Sequence, residues 1–303
     1  MSSAPAVQAP SLLFPYERWD SALPALARQY CENQPCPHIL LEDFLEPKVA
    51  LAMAREFPRP RSHAWTQYKH ANENKLGMTK RELFPETLGT VTDELNSPEF
   101  TDWVSALTGI PNLMADPTLE GGGLHQSGPG GYLNVHTDFS MHHFHTSWRR
   151  RVNLILYLNP GWHEEWGGSI ELWERSAEKK MVRCAARYPP LLNRALIFTT
   201  DERSLHGFPD PLTCPPGHSR KSLALYYYTV EPNRKFTGHS TDYYARPQDG
   251  WGKSAMIWLD KKAVDLYSRA KVRFGFSDEL ASRVLGFLSG KKQPDSIPAD
   301  DES

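Results

Sequence analysis

The sequence has little of several features that would define a protein class at once. Its four cysteines among 303 residues include no Cys-X-X-Cys pair, so nothing suggests a disulfide scaffold. The 34 basic and 36 acidic residues give a net charge of −2, which offers no electrostatic case for nucleic-acid binding. No apolar stretch approaches the roughly 18 residues of a membrane span, and the first residues lack the pattern of a secretory signal. We therefore expect a cytoplasmic globular protein that binds neither nucleic acid nor a membrane.

The middle of the chain is rich in short apolar segments that are separated by turn residues. Clusters such as Gly128-Pro129-Gly130-Gly131 break the chain between them. Short strands at this spacing, without helices in between, are typical of an antiparallel barrel or sandwich. We therefore predict a mainly β protein with flanking helices. The predicted strands are residues 132–139, 152–158, 169–173, 195–199 and 222–230, with a further strand-like segment at 206–209.

The remaining segments predict the domain organisation. Helical spacing of apolar residues indicates one helix in 46–56 and two in 85–108, which we expect to brace one sheet of the barrel. Two more helices are predicted at 260–273 and 277–289. The predicted division is a partly loose segment 1–35, a main domain 36–245, a C-terminal helical extension 246–290 and a disordered tail 291–303.

The triplet His136-Thr137-Asp138, with His206 far downstream, is the strongest chemical signal. An imidazole and a carboxylate two residues apart on a strand point to the same face. One more imidazole from a later strand completes two histidines and one carboxylate on one face of a metal. This set leaves coordination positions open and is typical of non-haem Fe(II) oxygenases. The triplet alone is weak evidence, and the surrounding strands give it weight.

Arg220 and Ser222 share a face of the last predicted strand. A guanidinium inside a barrel is costly unless an anion pairs with it, and a dicarboxylate co-substrate would supply that anion. The alternative is that Arg220 and Lys221 are solvated charges at a strand edge. The metal triplet upstream favours the co-substrate, and strand parity with Ser222 assigns the role to Arg220 rather than to Lys221.

With these motifs in order, the chain resembles the Fe(II)- and 2-oxoglutarate-dependent dioxygenases, in particular their prolyl 4-hydroxylase-like branch. The resemblance implies a double-stranded β-helix, a jelly-roll or cupin-like barrel. It implies Fe(II) bound by His136, Asp138 and His206, with no catalytic residue beyond the iron centre. It covers roughly residues 36–245 and rests on residues 37–45, 130–139, 151–159, 166–172, 206–209 and 220–222.

The resemblance also implies a co-substrate site and an activity. Arg220 would hold the distal carboxylate of 2-oxoglutarate, with Ser222 beside it and the Tyr157 hydroxyl reaching the same carboxylate. Dioxygen would be the oxidant, and ascorbate is an optional reductant. The expected reaction hydroxylates an unactivated C–H bond and releases succinate and carbon dioxide. Asp138 argues against halogenation, because halogenating relatives have no carboxylate at that ligand position.

Several neighbours of these motifs have two interpretations. Gln126, Tyr132, Asn134 and Asn153 are candidates for the pocket wall, although local structural roles are equally open. His142, His143 and His145 are expected to be solvated or to line the substrate rim rather than to bind iron. Arg149, Arg150 and Arg151 could bind an anionic substrate, and a charged strand entry is the simpler interpretation.

The substrate and the outcome stay open at this stage. A prolyl-like or other amino-acid substrate, free or in a peptide or protein, is favoured by the branch resemblance alone. The same cofactors also serve desaturation, epimerisation or cyclisation of a biosynthetic intermediate. A metal-binding sensor without turnover is a less favoured alternative, since the three ligands and Arg220 are all present.

Overall fold

The computed structural model describes residues 13–60, 62, 64–176, 181–231, 241–260 and 262. Four α-helices lie between residues 16 and 108, interspersed with the first strands: α1 (Tyr16–Glu32), α2 (Pro47–Glu56), α3 (Glu86–Leu95) and α4 (Pro98–Thr108). The three helices α2 to α4 occupy the segments that the sequence predicts. The start of α4 shows why: Pro98 occupies the first turn, and the Ser97 hydroxyl accepts a hydrogen bond from the Phe100 N–H.

Thirteen strands form one continuous antiparallel sheet in the described part of the chain. They are β1 (His38–Leu41), β2 (Thr66–His70), β3 (Glu73–Met78), β4 (Met114–Ala115), β5 (Gly123–Ser127), β6 (Tyr132–Thr137), β7 (Trp148–Tyr157), β8 (Ile170–Arg175), β9 (Met181–Tyr188), β10 (Arg194–Thr199), β11 (Leu205–Phe208), β12 (Arg220–Val230) and β13 (Asp242–Tyr243).

The order of the strands defines the fold. One side of the barrel runs β10-β7-β12-β5 and the other runs β6-β11-β8-β9, and β3 pairs with both β5 and β6. Along the chain, β5 to β12 pass repeatedly from one side to the other. This winding is a double-stranded β-helix, so the predicted mainly β fold class is confirmed.

The helices cover one outer face of the barrel, as predicted. Strand β7 shows how alternation separates this face from the interior. Val152, Leu154 and Leu156 are fully buried in the core that includes the buried residues of α1 to α4. Asn153 and Ile155, at the positions between them, line the internal cavity. The outer layer thus fixes the position of the strands that carry the site.

A β-bulge in β6 changes which residues face the cavity. His136 pairs with His206, whereas Leu133 pairs with Phe208, so three steps on β6 match two on β11. Gly207 lies against the bulge, where an added Cβ would be only 2.8 Å from the Leu133 carbonyl oxygen. The bulge therefore directs both Leu133 and His136 to the cavity, which simple alternation would not allow.

The structure departs from the sequence predictions in several elements. Helix α1, which lies inside segment 1–35, was not predicted, and it packs through the buried Trp19 and Tyr30. Residues 251–260 are helical, although a helix was predicted to begin only at 260. The predicted helix 277–289, the tail 291–303 and nearly all of 260–273 lie outside the described residues. Among the helices described, none combines the length and apolar character that a bilayer crossing requires.

Candidate active site

The three predicted metal ligands meet inside the barrel. His136 lies near the end of β6, Asp138 directly follows that strand, and His206 is paired with His136 across the sheet. One side-chain ligand atom from each lies within 4.8 Å of the other two. His136 Nε2 is 3.4 Å from Asp138 Oδ1, and His206 Nε2 is 3.5 Å from Asp138 Oδ2. The geometry is that of three ligand atoms converging from one face.

The backbone fixes the tautomer of both histidines. His136 Nδ1 lies 2.9 Å from the Asn134 carbonyl oxygen, and His206 Nδ1 lies 2.8 Å from that of Ser204. Because a carbonyl oxygen can only accept, each Nδ1 must carry the proton and donate. Each Nε2 then presents its lone pair to the space between the three side chains. This arrangement holds imidazoles in the form that binds a metal.

Two residues from β7 hold the Asp138 carboxylate in place. Asn153 Nδ2 donates a 2.6 Å hydrogen bond to Asp138 Oδ2, and the Arg150 guanidinium lies 3.1 Å from the same oxygen. Arg150 Nε donates in turn to Asn153 Oδ1 at 2.8 Å. The other carboxylate oxygen of Asp138, Oδ1, faces His136. The simpler interpretation of Arg150 as a charged strand entry is therefore wrong, because the side chain is only 2% exposed.

The electrostatics favour an ionised Asp138 carboxylate beside a neutral His206 imidazole. Burial alone would raise the pKa of Asp138, but Arg150 and the two histidines outweigh it and hold that pKa well below its usual range. Burial lowers the pKa of His206 to about 4, against the opposing effect of Asp138. Near neutral pH, neither Asp138 nor His206 therefore has a proton that a divalent cation must displace.

Arg220 lines the same cavity and has no acidic partner among the described residues. It is 5% exposed, and its Nε donates to the Gly168 carbonyl oxygen at 2.7 Å. Its Nη2 donates to the Tyr157 hydroxyl at 3.3 Å. Burial lowers the pKa of this guanidinium, with Tyr157 opposing the shift. Ser222 lines the cavity two residues further along β12, whereas Lys221 points away, towards the Phe57 ring.

Of the four predicted pocket candidates, Asn153 is the one that lines the cavity. The Gln126 side chain points away and donates to Ser219 Oγ at 2.6 Å, because its neighbour His125 takes the inward position on β5. Tyr132 and Asn134 turn to the loop of residues 70–72, where both donate to the Ala71 carbonyl oxygen. The β6 bulge accounts for these two, since it places Leu133 and His136 inside instead.

The prediction for the histidines that follow the triplet also needs a correction. None of them joins the metal ligands, as expected, but His142 is 1% exposed rather than solvated. Its Nε2 lies 3.3 Å from Asp116 Oδ2, and Glu120 bridges it to His143. This cluster packs behind the site and anchors the loop that follows Asp138.

The hairpin β2–β3 supplies cavity residues that the sequence did not single out. Glu73, Lys75 and Gly77 alternate along β3 and face the cavity, with Tyr68 from β2 beside them. Burial, and then the charge of Lys75, lower the pKa of His125 on the adjacent strand to about 3, so that this imidazole is neutral. The period-two spacing of Glu73 and Lys75 is a signal that could have identified a two-sided strand here.

Replacing Arg150 by Met is predicted to loosen the Asp138 carboxylate. We expect Fe(II) affinity to fall roughly 10- to 100-fold, the usual effect of losing a group that orients a ligand. Anaerobic equilibrium dialysis with Fe(II) would measure it. Arg149→Met is the matched control, because Arg149 pairs with Glu231 outside the cavity. Equal losses in both variants would contradict the role of Arg150.

The donor set fits both groups that the motifs imply. The two Nε2 lone pairs and Asp138 Oδ1 offer three ligand atoms of the types that Fe(II) accepts, and they leave further positions open. Arg220, buried without an acid, can take a carboxylate in two-pronged fashion. The cavity of about 170 Å³ connects the two positions and is lined in addition by Ile155, Ile170, Phe139, Phe208, Tyr226 and Tyr243.

Comparison with known proteins agrees with this geometry. Residues 122–228 match the model of the 2OG-Fe(II) oxygenase superfamily. This segment contains all three candidate ligands, Tyr157 and Arg220. The match supports a 2OG-Fe(II) oxygenase, a 2-oxoglutarate-dependent dioxygenase, in this segment, as the sequence motifs predict. The family implies Fe(II), 2-oxoglutarate and dioxygen as its cofactors and co-substrates. A comparison with curated proteins found no match.

Solved structures similar to this chain include two prolyl hydroxylases. One is from Trichoplax adhaerens, in complex with a hypoxia inducible factor peptide fragment (17% identity, 70% of this chain and 91% of that chain covered, TM-score 0.49). The other is a Pseudomonas putida prolyl-4-hydroxylase (19% identity, 67% and 98%, TM-score 0.46). HygX from Streptomyces hygroscopicus, with nickel, 2-oxoglutarate and hygromycin B bound, is also similar (12% identity, 63% and 82%, TM-score 0.40).

Proposed function

We propose that this protein hydroxylates an unactivated C–H bond of an amino-acid substrate, prolyl-like or otherwise, free or within a peptide. His136, Asp138 and His206 would hold Fe(II), and Arg220, Tyr157 and Ser222 would hold 2-oxoglutarate. The observation that carries the proposal is the occurrence, in one cavity, of three converging ligand atoms and a buried arginine that has no acidic partner in the part of the chain that the structure describes. Ascorbate is proposed as the reductant that keeps the iron ferrous.

Loaded with Fe(II), 2-oxoglutarate and dioxygen, such a site converts 2-oxoglutarate to succinate and carbon dioxide and delivers one oxygen atom to the substrate. The protein contributes positions and exclusion of water. The backbone carbonyls of Asn134 and Ser204 keep both imidazoles in the ligating tautomer. Arg150 and Asn153 fix the carboxylate. The rings of Phe139, Phe208 and Tyr226 line the cavity with apolar surface that limits access of water to the reacting atoms.

The division of the chain follows from this role. Residues 36–245 are proposed as the dioxygenase domain, preceded by the segment 1–35 and followed by the extension 246–290 and the tail 291–303. The helix of residues 251–260 contacts the domain through Ile257, whose carbonyl oxygen accepts from Asn72. A cytoplasmic location is proposed from the composition.

Isotopically labelled dioxygen tests the proposed reaction. With Fe(II), 2-oxoglutarate and a panel of free amino acids and short peptides, the oxidised product should gain the label, and succinate should form in equal amount. Because Asp138 takes the position that chloride would need, high chloride should yield no chlorinated product. Desaturated or cyclised product without label would move the assignment to another oxidative outcome. Oxygen drawn wholly from water, without consumption of dioxygen, would refute oxygenase chemistry.

A further inference from the structure

The part of the cavity wall that β3 forms carries a largely buried ion pair that the proposed metal and 2-oxoglutarate sites do not use. Lys75 Nζ lies 3.0 Å from Glu73 Oε2, and the two side chains are 18% and 9% exposed. Both line the same cavity as His136 and Asp138. A buried ion pair is weak as a stabilising device, since apolar residues of similar volume often stabilise as well or better. Its place on the wall therefore indicates a role in binding.

The ion pair is held from behind by a second pair. His70 Nε2 lies 2.9 Å from Glu73 Oε1, and His70 Nδ1 lies 2.7 Å from Asp260 Oδ2. Burial alone would lower the pKa of His70, but Asp260 and Glu73 raise it to about 9, so both ring nitrogens donate. Glu73 is thus oriented by His70 on one side and offers its other oxygen to Lys75. The arrangement fixes both charges at the cavity surface.

The charges of the described lining residues do not balance. Two acids, Glu73 and Asp138, face three bases, Lys75, Arg150 and Arg220, while His125 is neutral. Fe(II) and the 2-oxoglutarate dianion would add charges that cancel each other. One positive charge therefore remains in the loaded cavity. Arg150 is engaged with Asp138 and Asn153, and Arg220 lies at the proposed 2-oxoglutarate position.

Lys75 is the cation of the cavity wall that has N–H donors available for a ligand. An ammonium group has three N–H donors, and Glu73 is its one ion-pair partner among the described residues. Burial alone would lower the pKa of Lys75, but Glu73 raises it, so the group is charged. Lys75 lines the same cavity as Tyr226 and Asp138.

We propose that Lys75 binds a carboxylate of the substrate, so that the substrate class is a small free carboxylic acid rather than a residue inside a peptide chain. A free α-amino acid fits best, because its ammonium group can approach Glu73 while its carboxylate pairs with Lys75. The inference rests on the proposed function. It narrows the substrate to the free form, and it assigns recognition to Lys75 and, for the ammonium group, to Glu73.

Binding to the loaded but unreactive protein tests this assignment. Wild-type protein with Ni(II) in place of Fe(II), and with 2-oxoglutarate, would be titrated with the free L-amino acids, L-proline included, and with their C-terminal amides. We expect at least one free acid to bind, and its amide to bind roughly 30-fold or more weakly. Lys75→Met should weaken binding of the free acid by the same factor and leave binding of the amide unchanged. Lys69→Met, exposed on the neighbouring strand, is the matched control.

Each other outcome overturns the inference. It fails when no free acid binds, when amides or capped peptides bind as well as the acids, or when Lys75→Met leaves the preference intact. It also fails when Lys75→Met raises the 2-oxoglutarate requirement instead, which would place Lys75 in the co-substrate site. The proposed function is judged separately by the visible band that Fe(II) and 2-oxoglutarate form in the absence of substrate. Loss of that band in the wild type would refute the proposed function itself.

Discussion

His136→Ala, Asp138→Ala and His206→Ala proteins should each fail to bind Fe(II) and should lose turnover to background. Each change removes one of three converging ligand atoms, and the remaining two cannot enclose the ion in the same geometry. The loss should exceed the roughly 10- to 100-fold effect expected for a supporting residue such as Arg150. Anaerobic dialysis with Fe(II) and the visible charge-transfer band with 2-oxoglutarate would measure it.

His163→Ala is the control for this series. Its side chain is 59% exposed and lies in a loop between β7 and β8, so its loss should leave both iron binding and the band unchanged. Circular dichroism would verify that the ligand variants fold. A ligand variant that forms the full band would disprove the assignment of that ligand.

The strand pattern predicted the barrel because its strands have one covered face and one cavity face. Strand β12 is the clearest case: Leu223, Leu225 and Tyr227 are fully buried in the core, and the alternating residues Ser222, Ala224 and Tyr226 line the cavity. The same parity correctly separated the direction of Arg220 from that of Lys221. Local alternation is enough for such positions, since it needs no knowledge of the partner strand.

The sequence could not predict features that depend on pairing between distant segments. The β6 bulge arises where β6 meets Gly207, and it moves Tyr132 and Asn134 out of the cavity. In the sequence, Arg150 cannot be distinguished from the two arginines beside it. Its role appears only when β7, which also carries Asn153, is placed beside Asp138. The polar hairpin β2–β3 has no apolar alternation, so its contribution to the cavity appears only once it pairs with β5 and β6.

Arg220→Met is expected to raise the 2-oxoglutarate requirement roughly 30-fold or more while changing Fe(II) affinity little. Losing one partner of a buried charge pair costs about 2–5 kcal/mol, and about 1.4 kcal/mol corresponds to a factor of ten. The Met side chain keeps the contacts between Phe208 and Tyr157, so packing should be preserved. Titration of the visible band and of succinate formation with 2-oxoglutarate would measure the shift.

A thermal readout separates loss of the co-substrate from loss of the fold. Without cofactors, Arg220→Met should unfold at a temperature equal to or above that of the wild type, because a buried cation without an acid costs desolvation free energy. Saturating 2-oxoglutarate should stabilise the wild type and Lys221→Met, since a ligand that binds the folded state raises its unfolding temperature, but not Arg220→Met. Lys221 is the matched control because it is the next residue of β12, with its side chain towards Phe57 on the opposite face. If Lys221→Met were the variant that lost this response, the carboxylate of 2-oxoglutarate would lie outside the cavity that contains His136, Asp138 and His206, and the proposed co-substrate site would be wrong.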